Sequence, residues 1–269
     1  MNQLTEETQG EVPLPQVAGR LAGKVIVVTG GAGALGRTYC VHLVRQGARV
    51  VVADLELGAA EAFAHELDQD SEERRAIAVR ADVTSERDTE EMIRAAVQTF
   101  GSVDVLINNA GIYPHVNFED ITYDAWRRVI ATNLDSVFLC CKAVLPQMKK
   151  QGRGKIINVA TNLVWIGLAG MVHYVSSKAG IVGFTRSLAQ EMGPHGITVN
   201  ALAPGAVTPP LHMLDSASIE RLSLIVSRQS VKWCQRASDL VGPMVFLASS
   251  DSDFLSGQIL TVDGGLTNH

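Results

Sequence analysis

KVIVVTGGAGALGR, Lys24 to Arg37, reads as a buried strand, a glycine turn and the first turn of a helix. Four β-branched apolar residues in a row leave no polar face, as in a strand covered on both sides. Glycines at 30, 31, 33 and 36 let the backbone approach a bound group closely. The helix that follows offers free N–H groups and the positive end of its dipole, which suits a phosphate. Outward from this turn, strands and helices alternate. Strands are expected at Arg49–Ala53, Ala76–Arg80, Val103–Ile107, Lys155–Ala160, Ile197–Ala201 and Gln258–Val262. Helices are expected at Ala34–Gln46, Leu57–Asp68, Ser85–Thr99, Tyr123–Lys150 (broken near Thr132-Asn133), Tyr174–Gly193 and Ala237–Ser249. Such alternation predicts an α/β fold: one doubly wound parallel sheet of about seven strands with helices on both faces.

The rest of the composition narrows the function class. The chain has 269 residues, 46% of them apolar, and a net charge of −5. That balance argues against nucleic acid, which wants a basic face. Four cysteines (Cys40, Cys140, Cys141, Cys234) show no metal-ligand spacing, so no metal is expected, and they suit a reducing, cytoplasmic setting. Residues 1–20 carry no apolar core and are read as a loose tail, not a signal peptide, ahead of a single domain over 21–269. Ile156–Ser177 holds no Lys, Arg, Asp or Glu, but it is read as a buried strand and a site loop, not a membrane span. The segment from Pro204 to Lys232 looks irregular, and its part from about 205 to 232 is expected to cover a substrate.

Two features carry chemistry. Tyr174 and Lys178 stand four residues apart, on one face of the expected helix. A nearby cation favours phenolate, so such a tyrosine can serve as acid or base well below its free pKa of about 10. Asp54 ends the second strand, where a carboxylate accepts from both adenosine ribose hydroxyls and repels a 2′-phosphate. No arginine stands at 33 or 55 to welcome that phosphate, so NAD is expected over NADP. Asp82-Val83 and Asn109-Ala110-Gly111 follow the third and fourth strands, where an adenine and the cofactor body approach. His115, His173, Trp165 and Tyr113 fall near these strand ends, the first three as candidate substrate contacts.

On these residues the chain resembles a classical short-chain dehydrogenase/reductase. The likeness runs from Leu21 to Gly265 through Thr29-Gly30 to Gly36, Asp54, Asp82, Asn108 to Gly111, Asn133, Tyr174 to Lys178, Pro204-Gly205 and Asp263-Gly264-Gly265. It implies a Rossmann-type sheet, Tyr174 as catalytic acid/base, Lys178 on the nicotinamide ribose lowering the phenol's pKa, and Asn133 as a water-holding relay. It implies a homotetramer or homodimer packed through the helices ending near Lys150 and Gly193. The cofactor is expected to meet Gly30, Gly33, Leu35, Gly36, Asp54, Leu55, Asp82, Val83, Asn109, Ala110, Gly111, Tyr174, Lys178, Pro204, Gly205, Val207 and Thr208.

Three positions depart from the family's pattern. Ala34 replaces its middle glycine, Thr161 its catalytic serine, and Pro209 its threonine near the nicotinamide amide, with Thr208 one residue earlier. Threonine keeps the hydroxyl, with a stiffer χ1. The expected activity is NAD-linked interconversion of a secondary alcohol and its ketone. A biosynthetic carbonyl (3-oxoacyl-type) reductase and a non-catalytic dinucleotide-sensing scaffold are the alternatives. Apolar residues from Leu163 to Val172, with Leu211 beyond Pro210, point to a neutral, largely apolar small-molecule substrate.

Overall fold

The computed structural model describes residues 19–69, 73–208 and 214–267. Most of the expected tail, and Leu211 with Pro209, lie outside the described residues. Seven strands form one sheet in the order β3-β2-β1-β4-β5-β6-β7. They are β1 (Val25–Thr29), β2 (Arg49–Asp54), β3 (Ala76–Arg80), β4 (Val105–Asn108), β5 (Gly154–Val159), β6 (Ile197–Pro204) and β7 (Ile259–Val262). Every pairing is parallel, with Val27 opposite Val51 on one side of β1 and opposite Leu106 on the other.

The helices are α1 (Ala34–Arg45), α2 (Leu57–Asp68), α3 (Glu86–Phe100), α4 (Tyr123–Ile130), α5 (Ser136–Gln151), α6 (Leu163–Ile166), α7 (Val172–Met192), α8 (Ser216–Arg228) and α9 (Val241–Ala248). Helices α1, α2 and α9 bury Tyr39, Leu43, Phe63 and Met244 against one face of the sheet. Helices α3, α5 and α7 bury Met92, Val144, Met148 and Ile181 against the other. This two-sided cover explains why β1 carries no polar residue before Thr29 and why all five of its residues are buried. Local signals set the ends. Ser85 caps α3 by accepting from the Asp88 N–H, and Gly101 closes it in the left-handed region (φ 85°).

Two sequence expectations need correction. The expected break near Thr132-Asn133 is a π-helical turn over Ala131–Asp135, which joins α4 to α5 without interruption. The joined helix, Tyr123–Gln151, is apolar and long enough to cross a bilayer by length and composition, and it packs against α3 and the sheet. The segment read as irregular contains α8, whose first turn is capped by Asp215 accepting from Ser218. Short polar residues among Ile219, Leu222, Ile225 and Val226 had blurred its period. Cys140 and Cys141 are free and buried, and burial pushes the Cys140 thiol up to about 12.

Candidate active site

The strand order reverses between β1 and β4, so their carboxyl ends border the crevice where open α/β sheets bind ligands. Gly30 turns the chain out of β1 with φ 61°, conformational space that favours glycine. A methyl on Gly36 would overlap the Gly30 carbonyl oxygen. The turn stays tight only without it. Gly33 is the N-cap of α1, no side chain caps that helix, and its first turn holds no acid. The leading N–H groups therefore face the crevice without an internal competitor, a cradle that fits a pyrophosphate. Ala34, in place of a glycine, is exposed at the first position of the helix. Gly36→Ala is expected to abolish nucleotide binding, read by titration calorimetry. Unchanged affinity would mean the turn can open at no cost.

Asp54 ends β2 beside this turn. Its carboxylate accepts from Ala32 N at 3.0 Å and from Glu56 N at 3.2 Å, which fixes its direction. The basic residues around it are engaged elsewhere. Arg80, opposite Asp54 on β3, pairs with Asp88 at 3.1 Å, and Arg37 pairs with Glu66 at 2.6 Å and lies 4.0 Å over the Phe63 ring. Leu55 is exposed beside it. Asp82 accepts from Thr84 N and from its hydroxyl, while Val83 is buried. Asn109 ties the two strand ends together: its Nδ2 donates to the Thr29 and Gly30 carbonyls. The Thr29 hydroxyl accepts from Asn109 N and Ala110 N.

The chemical groups converge at the start of α7. Lys178 is buried and donates from Nζ to the Val159 carbonyl at 2.7 Å, with Nζ 5.9 Å from the centre of the Tyr174 ring. Burial pushes the Lys178 ammonium down to about 8. Burial also raises the Tyr174 phenol, a hydrogen bond with Thr161 lowers it, and the Tyr113 phenol raises it. The Thr161 hydrogen bond counters burial at Tyr174. Lys178, to which the resemblance gives the lowering of the phenol, directs its ammonium at the Val159 carbonyl with the Tyr174 ring beside it. Thr161, 6% exposed, thus reaches the phenol with the hydroxyl the family's serine would supply.

Asn133 sits in the π turn, fully buried. Its Oδ1 accepts from Ile112 N at 2.8 Å, and its Nδ2 donates to the Ile112 carbonyl and the Ser177 hydroxyl. A Cβ on Gly111 would stand 3.2 Å from Asn133 Oδ1 and 3.6 Å from Lys178 Nζ, so these three residues share one spot. Inserted π turns are frequent at functional sites, because the extra residue redirects side chains. Ser177, Ile112 and Val159 were not foreseen as parts of the site. Two of them act through backbone atoms, which leave no mark in a side-chain pattern.

The candidate substrate contacts separate. Tyr113 is 74% exposed and meets the Tyr174 ring edge-on at 6.4 Å. His115 is exposed and packs on Gly170, whose carbonyl accepts from Val116 N. His173 is fully buried, and its Nδ1 accepts from the Tyr174 N–H. It braces the start of α7. Trp165 lines a cavity with Arg186, Gln190 and residues 256–259, about three turns along α7 from Tyr174. Both were expected at substrate because they fall near the carboxyl ends of the strands; His173 is buried, and Trp165 lines that cavity. Among the described residues, no group of three or more His, Cys, Asp or Glu side chains is placed to hold a metal ion.

The family model for short chain dehydrogenases matches residues 24–219. The chain is 37% identical to the L-rhamnose 1-dehydrogenase (NAD(P)(+)) of Azotobacter vinelandii, over 91% of this chain and 97% of that one. It is 35% identical to the trans-4-hydroxycyclohexanecarboxylate dehydrogenase of Sinomonas cyclohexanicum, over 94% and 96%. A crystal structure from Sinorhizobium meliloti 1021, described as a short-chain alcohol dehydrogenase, superposes with a TM-score of 0.85 at 29% identity, covering 91% of this chain and 97% of that one. The fold and site therefore define a nicotinamide-dependent oxidoreductase on a Rossmann-type sheet. The chain belongs to the short-chain dehydrogenase family.

Proposed function

We propose that this chain is an NAD-dependent dehydrogenase that interconverts a neutral, largely apolar secondary alcohol and its ketone. The observation that carries the reading is the convergence of Thr161, Tyr174 and Lys178 beside a crevice with an uncapped helix N-terminus and a fixed carboxylate at Asp54. When bound, the nicotinamide supplies the hydride acceptor or donor. The rest is done by side chains. Tyr174 takes the hydroxyl proton in oxidation and returns it in reduction. Thr161 donates to the reacting oxygen and holds it at the phenol. Lys178 holds the nicotinamide ribose and keeps a cation behind Tyr174. The Asn133 side chain is committed to Ile112 and Ser177, and the residue stands at the π turn beside Gly111 as the proposed water-holding relay. Gly30, Gly33, Leu35 and Gly36 cradle the pyrophosphate. Asp82, Val83, Leu55 and Asn109 to Gly111 flank the adenosine and ribose. Pro204, Gly205, Val207 and Thr208 border the nicotinamide.

The apolar substrate is supported by Tyr113, Ile166 and Leu168, large side chains left exposed on two segments that are bonded together at Val116 and Gly170. Apolar area in such a pocket is worth roughly 25 cal/mol per Å² buried. An unpaired charge there is costly. Reversed, the same residues make a carbonyl reductase, and a 3-oxoacyl-acyl-carrier-protein reductase of Staphylococcus epidermidis is 35% identical. A pure sensor would have no need of the Thr161–Tyr174 bond. The reading includes a cytoplasmic homotetramer or homodimer packed through α5 and α7, supported by free cysteines and by Phe138, half exposed on α5.

Cofactor choice tests the nucleotide half of the reading. Asp54 facing a 2′-phosphate sets like charges together, at a cost of several kcal/mol where solvation is poor. The ratio of kcat/KM for NAD over NADP is expected to be about 100 or more on the same grounds. Asp54→Ala narrows it. Equal efficiencies in the wild type would contradict the assignment. A screen of secondary alcohols graded in size and charge, followed by reduced-nicotinamide absorbance, tests the other half.

A further inference from the structure

Behind Thr161 lies a buried clamp that the proposed chemistry does not use. Asn162 is 2% exposed and donates from Nδ2 to Asp263 Oδ2 at 3.0 Å. Its backbone N–H donates to the Pro204 carbonyl at 2.9 Å, and its carbonyl accepts from Trp165 N. The peptides on both sides of Asn162, the first of them shared with Thr161, are thereby held. Asp263, 5% exposed, also accepts from the N–H groups of Gly265, Leu266 and Thr267 and from the Thr267 hydroxyl. Its own carbonyl accepts from Gln229 Nε2 at the end of α8. The Asp263 carboxylate thus joins the loop bearing Thr161 to the strand end after β7, and its backbone carbonyl ties that end to the base of α8.

We propose that Asn162 is a positioning residue, whose bond to Asp263 fixes the backbone that aims the Thr161 hydroxyl at Tyr174. Threonine has few χ1 wells, so a backbone shift at 161 moves the hydroxyl with it. That hydroxyl already accepts from Leu163 N at 3.3 Å, and without the clamp this local turn competes for its direction. A bond to an ionised acceptor is shorter and stronger than a neutral one, which suits a rigid anchor. Misplacing a reacting group by about 1 Å costs on the order of 100-fold in rate. Asn162→Ala leaves Asp263 its other four donors, so the strand end keeps its fold. Asn162→Ser retains a shorter donor and serves if the alanine variant fails to fold.

The proposal rests on Thr161 acting as the donor to the substrate oxygen, and a double-mutant cycle separates the two. Asn162→Ala is expected to lower kcat about 10-fold or more with nucleotide affinity unchanged, and to change it less than about twofold in a Thr161→Ala background. Full multiplication of the two effects would overturn it, because a merely structural loss adds independently. A second readout needs no turnover. In tyrosine-labelled NMR of the chain alone, with the Tyr174 signal assigned through Tyr174→Phe, the Tyr174 phenol should titrate at higher pH in Asn162→Ala. An unchanged titration would overturn the proposal too. If the wild type oxidises no alcohol at all, the proposed activity fails, while the phenol titration still decides the role of Asn162.

Discussion

Tyr174→Phe leaves NAD binding intact and removes turnover. The ring keeps its place, because its edge contact with Tyr113 and its seat on α7 do not involve the hydroxyl. What goes is the one group that can take a proton from the alcohol oxygen. General acid–base groups are worth about 10²- to 10⁴-fold, and here no second phenol stands ready, since Tyr113 is 74% exposed with its ring turned 70° to that of Tyr174. Thr161 forms the other half of the cradle. Thr161→Ser should stay active, and Thr161→Ala should fall by about 100-fold, the usual loss for one oxyanion-type donor. Steady-state rates with calorimetric NAD affinities check both. Thr161→Ala near wild-type activity would remove Thr161 from the site.

Lys178→Met is expected to do two opposite things: abolish turnover and stabilise the chain at neutral pH. Burial lowers the ammonium from 10.5 to about 8, so between those pH values the folded chain binds fewer protons than the unfolded chain. Stability contributed by this site therefore rises with pH through that window, and the burden of keeping the ammonium charged is complete below 8. At 1.36 kcal/mol per pKa unit that burden is about 3 kcal/mol at pH 7. The lost bond to the Val159 carbonyl offsets part of it, leaving a net gain of about 1–2 kcal/mol, or a few degrees in Tm. The gain should vanish as pH approaches 10.5. In the wild type, alcohol oxidation should speed up with rising pH, since it consumes phenolate, and ketone reduction should slow down. Thermal melts of wild type and variant across this range decide the matter. A variant less stable than wild type at pH 7 would show that Lys178 holds the fold and is not maintained against it.

How much of this was legible in the residues themselves depends on which atoms carry the role. The sheet was legible because β1, β2 and β4 are buried on both faces through their middles and are apolar there. Asp54, Tyr174 and Lys178 were legible because their side chains do the work at spacings set by a strand end and a helix turn. The π turn at Asn133 was not, since an inserted residue keeps helical composition and shows only in the hydrogen bonds. Helix α8 was obscured by serines that favour loops as readily as helix ends. His173 and Trp165 were legible only as residues near strand ends, and nearness to a strand end does not give a side chain's direction: His173 is buried, while Trp165 lines a cavity with Arg186 and Gln190. Asn162 and Asp263 are about a hundred positions apart, and only the parallel placement of β5, β6 and β7 brings them together.

The central claim is that a hydrogen passes directly from a secondary alcohol to the nicotinamide while Tyr174 takes the proton. The measurement that tests it most directly uses the alcohol that turns over best, carrying deuterium on its carbinol carbon, with NAD and the wild-type chain. The account predicts that the label appears in the reduced nucleotide, one atom for each ketone formed, and that Tyr174→Phe transfers none. Label released to water, or no reduced nucleotide from any secondary alcohol, would contradict it.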